Sequence, residues 1–401
     1  MIRSAFAGLC VLLCGCAQSP VDSQLAAEIA KIKAIDNHAH PVRPTAPGEK
    51  PDDEYDALPV ETLEPSSDPV RTRPGAPDLL EARRRIVRGD PVRVLDQLGI
   101  ETMLANRVAM GSGLPAPRFL WVPFADALMY PLSNESMIHN PDQKAFFADE
   151  ERLLKRYYAE SGAASRPSTL DEYLNKVVRA TLERHKRAGA VAEKFEMAYL
   201  RTLHVGNPSR AEAEKAWSGH GDYKDLQDYI FRFIAVECGR LGMAVHFHAA
   251  AGGGGYFNVS GANPMLLEPL FNDPGLRKTN FVMLHGGWPF TREITALLSK
   301  PNTYADFSEQ SVLNYPQDLA EVIRGWLEYV PEKVLFATDA YPYSPEAGWE
   351  ETGYVAASTG REALGRALTG MLRDHEIGRE RAVELARMVL RDNARKLYGL
   401  K

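Results

Sequence analysis

The sequence predicts an α/β protein built as a (β/α)8 TIM-like barrel, and three observations carry that prediction. Short apolar runs alternate with amphipathic stretches of helical period, the pattern of a parallel sheet whose crossovers are helices. Eight such runs can be counted, and no glycine-rich phosphate turn follows the first, as an open dinucleotide-binding sheet would require. Four of the runs end in histidine or aspartate, and active residues of a parallel barrel gather at the C-terminal ends of its strands.

Taken in order, a short helix over 21–33 feeds strand 1, which closes with Ile35-Asp36-Asn37-His38-Ala39-His40. Residues 41–77, rich in proline and acids and without periodicity, form an irregular insertion after strand 1, placed to help cover a site. A charged amphipathic helix is expected over 79–98, strand 2 over 99–105 and strand 3 over 119–124. A helical insertion, about 110–167, precedes strand 4, with helices at 141–163 and then 169–188. Strand 4 covers 190–197. The helix over 223–241 is apolar at Leu226, Tyr229, Ile230, Phe233 and Ile234 and is ended by Gly242. Strands at 243–248, 280–285, 303–307 and 333–339 then alternate with helices at 264–271, 290–298 and 319–330. Helices at 361–375 and 379–390 follow.

The 401 residues are 45% hydrophobic, ample for one large core, and their net charge of −6 gives no basic surface for nucleic acid. The expected partner is a small-molecule substrate; oligomerisation is left open. Met1-Ile2-Arg3 is a positive start, and 5–13 is an apolar run too short to span a bilayer. Leu13-Cys14-Gly15-Cys16 resembles a bacterial lipobox. That resemblance implies cleavage before Cys16, lipidation of its thiol, and a soluble domain anchored to a membrane outside the cytoplasm; a plain secretion signal cut nearby is the alternative. The division is then 1–15 signal peptide, 16–30 tether and helix, 31–401 barrel. Cys238 is left alone in the mature body, in a helical pattern, and reads as an inert core residue.

The strand ends carry the chemistry. In a strand, alternate side chains share a face, so His38 and His40 project together. Strand 5 ends in His246-Phe247-His248 before the glycines of 252–255, strand 6 in Leu284-His285-Gly286-Gly287, and strand 8 in Ala337-Thr338-Asp339. Neutral imidazole and carboxylate are ligands for zinc and similar ions. His246 shares a face with His248 one layer deeper, which favours packing over ligation. The glycine loop lets backbone approach a ligand, moves as a lid, or is a plain turn. Arg201 offers a fork for a substrate carboxylate, and Trp288, Tyr341 and Tyr343 are placed to line a pocket mouth. His139, His185, His204, His220 and His375 are expected in solvent.

These pieces, with Asn393-Ala394-Arg395-Lys396-Leu397-Tyr398-Gly399-Leu400, resemble the amidohydrolase superfamily, in its amidohydrolase-related branch of metal-dependent hydrolases and decarboxylases. The resemblance implies one or two divalent ions, zinc first, held by His38, His40 and His248, with Asp339 as ligand or proton acceptor. It implies His285 as a second ligand or an acid–base residue that orients substrate or stabilises an oxyanion. Lys194 matches the lysine strand of some relatives, where a carboxylated lysine bridges two metals. Unmodified, it is paired with substrate or turned towards Glu193, Glu196 or solvent, and Glu196 is the fallback ligand. The implied reaction is hydrolysis of a C–N, ester or lactone bond, lost in acid as the ligand histidines protonate. A decarboxylase on the same barrel, marked by a carboxylate-binding arginine, is the rival. A non-catalytic metal- or substrate-binding lipoprotein is the reading from another class.

Overall fold

The computed structural model describes residues 20–46, 48–58, 63, 82, 84–344 and 347–400. The leader with Cys16 lies outside them, as does much of the expected 41–77 insertion. No helix among the described residues is long and apolar enough to cross a membrane.

Eight parallel strands run in chain order: β1 (Ala34–Ala39), β2 (Ile100–Asn106), β3 (Phe119–Val122), β4 (Ala192–Phe195), β5 (Ala244–His248), β6 (Phe281–Leu284), β7 (Thr303–Asp306) and β8 (Val334–Leu335). Ladders join them as two arcs, β1–β3 and β4–β8. Single bridges close the ring, Phe124 to Lys194 on one side and Ala39 to Ala340 on the other. Backbone bonds reinforce both seams: Lys194 N–H donates to Pro123 at 2.7 Å, Asp339 N–H to His38 at 2.8 Å, and His40 N–H to Ala340 at 2.7 Å. The third strand, weak in sequence because it is only four residues long, pairs in register with β2.

Alternation divides the strand residues between lumen and outer layer. Ile35, Leu104, Val122, Ala192, Ala244, Val282 and Leu335 gather in one apolar cluster, with Leu397 and Tyr398 of the C-terminal helix Asn393–Tyr398 packed against it. That plug fills one end of the lumen. Facing outward, Phe195 packs edge-on and Phe247 tilted against Phe231 of the helix Tyr223–Leu241, at ring separations of 5.0 and 5.5 Å. Asp222 caps this helix on Lys224 N–H, and Gly242 at φ 64° ends it as expected.

Several boundaries differ from expectation for local reasons. The helix expected over 79–98 is interrupted, and its last part starts afresh as Pro91–Leu98. Gly89 takes φ 100°, Asp90 accepts from Val92 and Arg93, and Pro91 supplies the first helical residue, which needs no N–H donor. The helix expected from 361 begins at Trp349. A helix not foreseen, Arg210–Trp217, is nucleated by a Ser209/Glu212 capping box.

Candidate metal centre

The centre starts from β1 and β8. Asp36, buried, accepts from Thr338 N–H at 2.9 Å and from the Thr338 hydroxyl at 2.5 Å, which locks the two strand ends together. Asp339 thereby reaches the histidines of β1: its Oδ1 lies 3.1 Å from His38 Nε2 and 3.6 Å from His40 Nε2. His285 joins through Nδ1, 3.9 Å from Asp339 Oδ2. The ring of His248 sits 4.6 Å from that of His285, which is 5.0 Å from that of His38. All four imidazoles, with Lys194 and Asp339, line one cavity of about 270 Å³.

Ligand atoms of His38, His285 and Asp339 fall within 4.8 Å of one another, and a second such trio is His40, Asp56 and Glu196. The residues present fit a divalent ion on two counts. Nε2 of His38 and Nε2 of His248 are buried with no hydrogen-bond partner among the described residues. Burial, helped by the Lys194 charge, also holds His38 and His248 below the usual imidazole range, so their nitrogens keep the lone pair that ligation needs. The Asn106 amide nitrogen lies 2.6 Å from His38 Nδ1, while its own Oδ1 is buried with no hydrogen-bond partner among the described residues. As placed, the amide donates to His38 Nδ1 and to the Ala39 carbonyl at 3.2 Å, which leaves Nε2–H facing Asp339. Binding of an ion at Nε2 displaces that proton or requires a half-turn of the amide that gives up the Ala39 bond.

Burial also raises the carboxyls. Asp339 is pushed up to about 6, against the pull of His40 and Lys194. Asp56 and Glu196 are each pushed up to about 7 by burial, and in Glu196 the neighbouring Asp56 adds to it. His285 is oriented from beneath. The Ser308 hydroxyl has one proton, and at 2.6 Å from Asp306 Oδ1 it donates there, so at 2.9 Å it accepts from His285 Nδ1–H. His285 is left with Nε2 as its acceptor. It therefore does not supply the N–H donor that the oxyanion role would require; base or ligand is the role its ring can fill.

Lys194 faces inward and is fully buried, with Nζ 3.3 Å from Glu196 Oε1. The solvent option and the Glu193 option both fall, because Glu193 points to the other face and pairs with His185 at 3.0 Å. His185 is accordingly buried, not in solvent; His139, His204, His220 and His375 are exposed as expected. His246 lies below the cavity with Nε2 2.7 Å from the Tyr398 hydroxyl, the packed position expected of it.

Arg201 does not line this cavity. Its guanidinium is taken by Asp228 at 2.6 Å and Gln227 at 2.9 Å, and it borders a separate groove. Trp288 is likewise not among the lining residues, whereas Tyr341 and Tyr343 are. A Cβ on Gly252 would stand 2.6 Å from both Tyr199 and Phe257, so that glycine serves close approach of rings. Cys238 is buried and free, with its thiol pushed up by burial, which fits an inert residue.

Sequence reasoning missed Tyr55, Asp56 and Glu309, all on the cavity wall. Asp56 arrives on the chain after β1, which a buried fork from Arg107 to Asp52 pins with two contacts of 2.8 Å. Glu309 follows β7 as His285 follows β6 and Asp339 β8. His285, Glu309 and Asp339 take positive φ, 62°, 58° and 54° respectively, uncommon away from glycine and concentrated here at one site.

Comparison with known proteins agrees with this architecture. Among curated proteins none matches the chain. A Lactobacillus casei protein described as a metal-dependent hydrolase is similar in structure over 94% of this chain and 97% of its own, at 17% identity and a TM-score of 0.61. A uronate isomerase from Bacillus halodurans covers 94% and 96% at 12% identity and 0.58, and a glucuronate isomerase from Caulobacter crescentus 78% and 66% at 15% and 0.55. At these identities the likeness establishes the fold. The family model described as amidohydrolase matches residues 35–400, and the chain belongs to that family.

Proposed function

We propose that this protein is a metal-dependent hydrolase that cleaves a C–N, ester or lactone bond of a small substrate. One observation carries the reading: Asp339, held near neutrality in its titration, stands 3.1 Å from a buried His38 nitrogen that has no other partner among the described residues. His38, His40, His248 and Asp339 would hold the ion, zinc first, with His285 as a further ligand; Lys194 and Glu196 are beside a second position. When bound, a divalent ion supplies Lewis acidity and lowers the pKa of water from about 15.7 to about 7.

The chain's own groups do the rest. Asp339, facing the cavity beside the histidines, is placed to accept a proton from water and return it to the leaving group. His285, fixed by Ser308, offers Nε2 to orient the attacking water or to bind the ion. The cavity walls of Tyr55, Tyr199, Tyr341 and Tyr343 exclude bulk solvent around the reacting bond. The decarboxylase reading asks for an arginine facing the carboxylate; among the described residues lining the cavity there is none.

The test is elemental analysis of purified protein, followed by a hydrolysis screen over amides, lactones and dipeptides. Wild type should carry one or two divalent ions, and His38→Ala/His40→Ala should carry none. Full retention of metal in the double variant ends the proposal. Membrane anchoring through Cys16, outside the cytoplasm, is a separate proposal: Cys16→Ser should abolish labelling by palmitate and release the protein from the membrane fraction.

A further inference from the structure

We propose that Glu309 is a substrate-binding residue that grips an N–H or O–H group of the substrate, and that the substrate therefore carries such a donor beside the bond cleaved. The inference rests on the hydrolase reading of the site.

The backbone gives the first argument. Glu309 sits at φ 58°, ψ −52°, and Gln310 N–H donates across it to the Ser308 carbonyl. That is a γ-turn of the positive-φ kind, rare and strained for any residue with a Cβ. Strain of this sort persists where the surrounding structure imposes it, and it collects at functional sites.

The side chain gives the second. Glu309 precedes the short helix Gln310–Leu313 at the position where a carboxyl ordinarily accepts the first free N–H groups, yet it makes no such bond. It is turned into the cavity instead. Its Oε2 is buried with no hydrogen-bond partner among the described residues; the nearest ring nitrogen, His285 Nδ1, is 3.8 Å away and already engaged with Ser308. An internal structural role would leave the carboxyl bonded to protein.

The cavity composition gives the third. Asp56, Glu196, Glu309 and Asp339 face into it, and among the described lining residues the one lysine or arginine is Lys194, which Glu196 already holds at 3.3 Å. Walls rich in acceptors suit hydroxyls or amines on the substrate and disfavour a second carboxylate. A small hydroxylated or amine-bearing lactone, ester or amide meets these conditions.

Two matched pairs of probes test this on the metal-loaded protein: D-glucono-1,5-lactone against δ-valerolactone, and glycine 4-nitroanilide against 4-nitroacetanilide. In each pair the bond is of the same kind and the first member adds the donors, the hydroxyls of the sugar lactone or the amine of the glycyl anilide. Each kcat/KM is divided by the probe's uncatalysed hydrolysis rate to remove intrinsic reactivity. We expect kcat/KM at least about tenfold higher for the donor-bearing member of one pair. In Glu309→Ala that preference should vanish, mainly through KM, with metal content unchanged. A preference that survives in Glu309→Ala, or equal rates within both pairs, overturns the proposal. Metal-loaded protein that cleaves none of the four and nothing in the wider screen of amides, lactones and dipeptides overturns the hydrolase reading, and thermal unfolding of the metal-free protein then decides Glu309. Glu309→Gly should unfold about 2–4 °C higher, since glycine takes this backbone without strain. Unfolding at a lower temperature by as much would show the carboxyl to be structural and would sink the proposal.

Discussion

Asp339 Oδ1 lies 3.1 Å from His38 Nε2, although the two residues stand on the last and first strands of the barrel. The contact is made by backbone before it is made by side chain. Asp339 N–H donates to the His38 carbonyl at 2.8 Å, and Asp36 clamps Thr338 one residue earlier. Closing the barrel and assembling the centre are therefore one event.

That arrangement assigns the acid limb of metal binding to the carboxylate. Burial keeps the histidines neutral below their ordinary range, while Asp339 is pushed up to about 6. Above that pH the site is in its binding form; below it a proton competes for Asp339. Zinc affinity should be level above about pH 6.5 and fall about tenfold per pH unit below 6. Calorimetric titration at several pH values checks this, and Asp339→Asn should remove the step while weakening binding throughout. The sequence alone had placed the loss on histidine protonation; burial moves it.

Asn106 holds His38 from behind at Nδ1. Asn106→Leu removes the partner that selects the ring's tautomer without touching the cavity. Zinc affinity should drop by about 10–100-fold, with the fold preserved by circular dichroism. An unchanged dissociation constant would show that Asn106 does not orient the ligand.

Gly286, directly after His285, has no room for a side chain. A Cβ there would stand 2.3 Å from Trp326 Cη2 and 2.7 Å from Gln310 Nε2, at a backbone φ of 56°. Gly286→Ala should destabilise the protein by about 1–3 kcal/mol and displace His285. Denaturant unfolding reads the first effect, and loss of turnover beyond any loss of folded protein reads the second.

Arg107 and Asp52 form a buried bidentate pair with both contacts at 2.8 Å, and Arg107 also donates to the Pro41 carbonyl at 2.6 Å. Arg107→Met leaves Asp52 buried with only the looser Arg43 guanidinium, 3.5 Å away, as counter-charge. The expected cost is about 3–5 kcal/mol in urea unfolding. A cost under about 1 kcal/mol would mean that the segment carrying Tyr55 and Asp56 is held by other contacts.

Much of the candidate site is legible in the sequence. His38, His40, His248, His285 and Asp339 each end an apolar run, and strand period 2 places such residues at one rim of a parallel barrel. Lys194 and Glu196 were also found, but not their direction. Direction depends on which face of β4 meets the lumen, and Glu193 and Lys194 look alike as letters. Arg201 and Trp288 were placed at the pocket by proximity in sequence to a strand end. Arg201 in fact spends its charge on Asp228, a helix residue that only packing brings near it.

The order of apolar runs and the residues that end them are local properties, and they alone determine the barrel, its rim and the imidazole set, because strand periodicity and right-handed parallel crossovers leave few other arrangements. The tertiary structure decides everything that requires two distant segments to meet: the closure of β8 on β1 that sets Asp339 against His38, the arrival of Asp56 from the chain after β1, and the turn that aims Glu309 inward. The same holds for the titration of the site. Desolvation and neighbouring charges act through space, so the displaced acid constants of Asp339, Asp56 and Glu196 exist only once the chain has packed around them.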